Sequence, residues 1–192
     1  MEKFDVGDDG VHVSIQEFAD YGYVLYRFNE MQHKPKITNE IIPSLQIQTK
    51  YETRYEHAFQ IAYRDMFSEG SGHRKDAEKI AILITDGSYY PDMSYARYEA
   101  AMLRRAGIKL YVLAYGPVDE KFLLDLVNGN SSRFRKYDSV QDMSANLDRI
   151  YSDICPRKGG QIPIPAQPAF ALDIPPPPIN SQAIPAPATA GK

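Results

Sequence analysis

An α/β fold with a doubly wound, mostly parallel sheet and helices on both faces is what the 192 residues predict. Three observations predict it. Strand-like and helix-like patterns alternate through residues 11–154. Two of the strand segments are almost wholly apolar, and the helical segments around them carry apolar residues at three- and four-residue spacing. Strands buried on both faces need helical cover on each side, and strand-helix-strand order builds parallel sheets through right-handed crossovers. Sheets of this kind bind ligands beyond the carboxyl ends of their strands.

The elements follow in order. "VHVSIQEF" sets Val11, Val13 and Ile15 on one face at period two, and "YGYVLYRF" follows a turn at Ala19-Asp20, so residues 11–28 predict a β-hairpin. "TRYEHAFQIAYRDMFSE" predicts a helix with a stripe of Tyr55, Ala58, Phe59, Ala62, Tyr63, Met66 and Phe67. "EGSGHRKD" predicts a mobile loop. "KIAILIT" predicts a strand buried on both faces. A helix from about Met93 to Ala106 closes on Gly107, a residue suited to a helix C-terminus. "IKLYVLAYG" predicts a second buried strand, "DEKFLLDLVN" a short helix and "SRFRKYD" a short strand. A last helix carries Val140, Met143, Leu147, Ile150 and Ile154 on one stripe.

Composition then divides the chain. Of 14 prolines, 10 fall at or after Pro156, whereas all 14 tyrosines lie at or before Tyr151. Residues 1–155 are therefore expected to form the domain, and residues 156–192 a disordered, semi-stiff Pro-rich tail or linker that favours polyproline II. Pro175 to Pro178 also suit an aromatic-lined groove, although a spacer is the simpler reading. The formal charge of −3 gives no footprint for nucleic acid. No apolar run approaches the roughly 20 residues of a membrane span, and no signal-peptide pattern opens the chain. Cys155 is the single cysteine. It has no internal disulfide partner and no activating pattern of a nucleophile. The four histidines are scattered, which argues against a zinc site.

The segment "AILITDGSYY" delivers a carboxylate, Asp86, to the end of a buried strand. "KIAILITDGSYYPDMSYARYEAAMLRRAGIKLYVLAYG" and then "FRKYDSVQDMSANLDRIYSDIC" resemble the second half of a von Willebrand factor type A domain, in order and in spacing. "VHVSIQEFAD" resembles the family's second strand, and "TRYEHAF" stands in the place of its threonine loop. The resemblance implies protein recognition through a metal-ion-dependent adhesion site, where Mg²⁺ or another divalent cation takes oxygen ligands. Thr53 matches the loop threonine and Asp86 the loop aspartate. Ser88, Tyr89 and Tyr90 would be ligand contacts.

Departures from the family pattern qualify that site. The Asp-x-Ser-x-Ser motif and the first strand are missing, so two oxygen ligands remain of about five, and a cation is expected only if that motif is supplied. Tyr55 and Glu56 replace the usual Thr and Gly, and bulk there is expected to crowd the loop. Loss of a central strand leaves unpaired backbone on its neighbours. Either the sheet closes up with altered pairing, or the sequence is a fragment of a longer chain, the favoured expectation. Cys155 would then pair with a cysteine outside this chain, as in extracellular members. Simpler roles stand beside these: Asp86 as a turn residue, Thr53 as the N-cap of the following helix.

The function expected from the resemblance is a non-enzymatic, extracellular or secreted binding module with an incomplete adhesion site. Its partner would be a protein ligand or matrix component, with homo- or hetero-assembly through further domains. The alternative is a structural component of an extracellular or mineralised matrix. A hydrolase using Asp86 lacks a second catalytic carboxylate, a nucleophile-base pair or a phosphate cradle.

Overall fold

The fold is given by a computed structural model that describes residues 4–46, 52–87 and 93–154. The proline-rich stretch 156–192 lies outside the described residues. Among the described residues there are two sheets. β1 (Ile15–Phe18) and β2 (Gly22–Tyr26) form an antiparallel hairpin. β3 (Ile80–Thr85), β4 (Lys109–Tyr115) and β5 (Phe134–Tyr137) form a parallel sheet in the order β3-β4-β5. The helices are α1 (Lys34–Lys36), α2 (Ile42–Ser44), α3 (Tyr55–Ile61), α4 (Met93–Arg105), α5 (Glu120–Leu126), α6 (Val140–Ala145) and α7 (Leu147–Ile154).

β4 shows why the sheet is doubly wound. Leu110, Val112 and Ala114 point into a core shared with α3, α4 and α5, while Tyr111 and Leu113 point into a second core with Met143, Ile150 and Ile154 of α6 and α7. Alternation at period two sends one set of apolar side chains to each face, and each face has its own helices. α4 stops where predicted, at Gly107, which takes φ +78°, a conformation that costs glycine nothing. α5 starts at Asp119, whose side chain accepts the Phe122 N–H at 2.9 Å.

Several elements depart from expectation. β1 begins at Ile15, not Val11, because Val13 N–H donates to the Gln32 side chain at 2.6 Å and the Ser14 hydroxyl to the Tyr26 carbonyl at 2.6 Å. Side-chain capture has replaced ladder bonds there. β3 is covered on one face only: Leu83 and Thr85 are 6% exposed, but Ile82 and Ile84 are 42% and 54% exposed. Among the described residues β3 pairs only with β4 and β1 only with β2, so the expected closing-up of the sheet with altered pairing is not seen there. The last helix is two, broken at Asn146, whose side chain donates back to the Asp142 carbonyl at 2.8 Å, and Val140 and Leu147 are exposed rather than on the buried stripe.

Two further segments differ. Helical turns α1 and α2, joined by a π turn over Ile37–Ile41, have no counterpart in the sequence expectation. Prolines at 35 and 43 interrupt the pattern, and Ile37 is the one buried residue across it. The 69–76 loop, expected to be mobile, carries side-chain hydrogen bonds: Arg74 donates to the Gly10 carbonyl at 2.6 Å, and His73 Nδ1 to the Ser68 carbonyl at 3.0 Å.

Candidate functional site

The carboxyl end of β3 carries Thr85, Asp86 and Gly87. Thr85 faces inward and is buried, so alternation turns Asp86 outward, where its side chain is exposed. Gly87 reverses the chain at φ +75°, and a Cβ there would run into Val118. The turn is held by Thr85, whose Oγ1 accepts the Gly87 N–H at 3.0 Å.

Against this turn lies the connection into α3. Tyr55, the first residue of α3, is 4% exposed, and its hydroxyl shares a hydrogen bond with Thr85 Oγ1 at 2.9 Å. Its ring contacts Phe18 at 5.9 Å and Phe122 at 5.5 Å between centroids. Burial raises the Tyr55 phenol above its ordinary value; the negative charge of Asp86 adds to this, and the bond from Thr85 partly offsets it. Tyr55 is therefore a neutral hydrogen-bonding group at neutral pH. The expected crowding by bulk at 55 does not occur, because the ring turns into the core.

The same connection is tied to the hairpin turn. Arg54 N–H donates to the Ala19 carbonyl at 3.1 Å, Glu52 N–H to Asp20 Oδ1 at 2.8 Å, and His57 Nδ1 to the Asp20 carbonyl. Glu56, 5% exposed, is neutralised by Arg54 Nε at 2.8 Å. The ends of β1 and β3 and the start of α3 thus form one polar edge, at the carboxyl ends of the strands, where α/β sheets take ligands.

Thr53 lies half-buried in this connection. It does not cap α3: Arg54 occupies the N-cap position, and no side chain caps the helix there. The fold therefore brings Thr53 and Asp86 to one edge through the Tyr55–Thr85 bond. Both offer the hard oxygen that Mg²⁺ prefers, yet they are two donors, and among the described residues no group of three or more His, Cys, Asp or Glu is placed to hold a metal. Ser88, Tyr89, Tyr90 and Cys155 lie outside the described residues.

Sequence reasoning missed the two residues that assemble this edge. Asp20 reads only as part of a hairpin turn, although an aspartate beside a turn is a common acceptor of backbone N–H groups. Tyr55 reads as the first member of an apolar stripe and as bulk in the threonine loop, and not as a hydrogen-bonding group. A phenol at the end of such a stripe, where the helix meets a loop, carries a polar tip that needs a partner, and this was the available signal.

A sequence model of the von Willebrand factor type A domain matches residues 1–152. Integrin alpha-M of Mus musculus is 25% identical over 103 residues, covering 54% of this chain and 9% of that protein. The collagen alpha-1(XII) chain of Notophthalmus viridescens is 26% identical over 157 residues, covering 80% of this chain and 16% of that protein. This chain therefore spans less than a fifth of either relative. Among solved structures, proximal thread matrix protein 1 from the mussel byssus, with a zinc-occupied MIDAS motif, superposes with a TM-score of 0.69 at 20% identity, over 78% of this chain and 37% of that one. The manganese-loaded Plasmodium vivax TRAP protein gives 0.58 at 17% identity, over 76% of this chain and 59% of that one. At such identities the likeness shows the fold. Among the described residues no helix is long and apolar enough to cross a membrane. A parallel sheet whose first strand ends in Thr85-Asp86-Gly87, joined to a match over residues 1–152, makes this chain a member of the von Willebrand factor type A domain family.

Proposed function

We propose that the chain is a non-enzymatic binding domain of an adhesion or matrix protein, acting outside the cell. The edge formed by Asp20, residues 52–57 and Thr85–Gly87 is its contact surface for a protein partner. One observation carries this reading: an exposed carboxylate, Asp86, stands at the carboxyl end of β3 on a turn held by the linked hydrogen bonds of Tyr55, Thr85 and Gly87. A rigidly presented charge beside a knitted polar rim suits protein recognition. The integrin and collagen relatives support the same class. Residues 1–155 form the domain in this reading, with 156–192 as a proline-rich spacer. Ser88, Tyr89 and Tyr90 extend the contact surface, and Cys155 pairs with a cysteine outside this chain. Divalent cation enters only where further oxygen ligands join Thr53 and Asp86.

The collagen likeness, which covers 80% of the chain, favours matrix assembly as the setting. The test is binding to a panel of purified extracellular-matrix proteins by biolayer interferometry, with Mg²⁺ and with chelator. Asp86→Ala is expected to weaken whichever binding is found by at least about tenfold, the order of a truncated interface hot spot. Unchanged affinity in Asp86→Ala would reject this edge as the contact surface.

A further inference from the structure

We infer that Tyr55 is the positioning residue for Asp86: its hydroxyl, acting through Thr85, sets the turn on which the carboxylate is presented. The inference rests on the proposed role of Asp86 for its functional meaning, but the geometry stands by itself. Tyr55 Oη and Thr85 Oγ1 are 2.9 Å apart, and both residues are buried. The same Oγ1 accepts the Gly87 N–H at 3.0 Å, so a single threonine oxygen joins α3 to the turn that follows Asp86.

A threonine hydroxyl has one hydrogen and two lone pairs, and its rotation is free unless a partner fixes it. When it bonds Tyr55, one rotamer is selected, and that rotamer is the one that receives the Gly87 N–H. The phenol is itself packed, its ring in contact with Phe18 of β1 and Phe122 of α5. Three elements thereby fix a hydroxyl that fixes a turn. Asp86 lies between the two bonded residues, Thr85 and Gly87, so the bonded turn determines where the carboxylate points. Linked hydrogen bonds of this kind rise or fall together, and the loss of one loosens the next.

A packing role and a positioning role are separable, since Tyr55→Phe keeps the ring and removes only the hydroxyl. The decisive readout is amide hydrogen exchange by NMR on the full 192-residue chain, compared at Gly87 and at Val112, in the centre of β4 and 0% exposed. In Tyr55→Phe, Gly87 exchange is expected to rise about fivefold, the worth of one neutral hydrogen bond, with Val112 unchanged. Thr85→Val removes the shared hydroxyl and gives a second route to the same test. Because Tyr55 acts through Thr85, the double variant should exchange at Gly87 like Thr85→Val alone. Wild-type exchange at Gly87 in Tyr55→Phe, or effects of the two variants that simply add, would overturn the inference. If matrix binding survives Asp86→Ala, the functional reading fails, while Gly87 exchange still decides the role of Tyr55.

Discussion

The two sides of β3 predict opposite responses to the same truncation. Leu83 is 6% exposed and belongs to the core shared with α3, α4 and α5, whereas its neighbour Ile84 is 54% exposed. Leu83→Ala removes buried methyl groups and leaves a cavity, at a cost of about 3 kcal/mol. Full burial of an isoleucine side chain stabilises by roughly 1.5–3 kcal/mol, and with about half of Ile84 already in water its truncation should cost about 1 kcal/mol. The expected difference is therefore about 2 kcal/mol. At an m-value of about 2 kcal/mol/M in urea, that separates the two unfolding midpoints by about 1 M. Far-UV circular dichroism against urea, with each variant at several protein concentrations, measures it. Equal losses in Leu83→Ala and Ile84→Ala would refute the one-sided cover of β3 and mean that its outer face is packed in solution.

Three other changes test separate parts of the structure. Gly87→Ala should cost about 1–2 kcal/mol or more in a thermal melt, since φ +75° is strained for alanine and its Cβ meets Val118. Asp119→Ala should lower stability by about 1 kcal/mol through loss of the α5 cap, and a melt within error of wild type would contradict it. Raising pH should destabilise the fold in the alkaline range. The Tyr55 phenol is raised above its ordinary 10.0, so its contribution is fully present below that pH. It is lost as pH climbs through the higher folded value, because the unfolded chain gives up the proton first. Urea midpoints at about pH 8 and 11 should differ less in Tyr55→Phe than in wild type. An identical fall in both would remove Tyr55 from the alkaline response.

Much of this was legible in the sequence because periodicity reports burial directly. β4 reads as a strand apolar on both faces and is one, and the Met93–Arg105 helix ends at its glycine. β3 reads the same way and is not, since apolar composition says that cover is needed and cannot say that it is there. The hairpin strand shortened because buried Gln32 competes for a backbone donor 19 residues away, a contact that no local pattern encodes. Asp86 was legible as a delivered carboxylate. Its supporting bonds were not, because Asp20 meets Glu52, and Tyr55 meets Thr85, only when separate elements fold together.

Hydrogen exchange with mass spectrometry, on the chain free and bound to a matrix protein from the binding panel, bears most directly on the proposed contact surface. Protection on binding is expected at residues 19–21, 52–57 and 85–87, where hydrogen bonds join the hairpin turn, the start of α3 and the end of β3. Protection confined to the outer strands β2 and β5, with those three segments unchanged, would contradict the account.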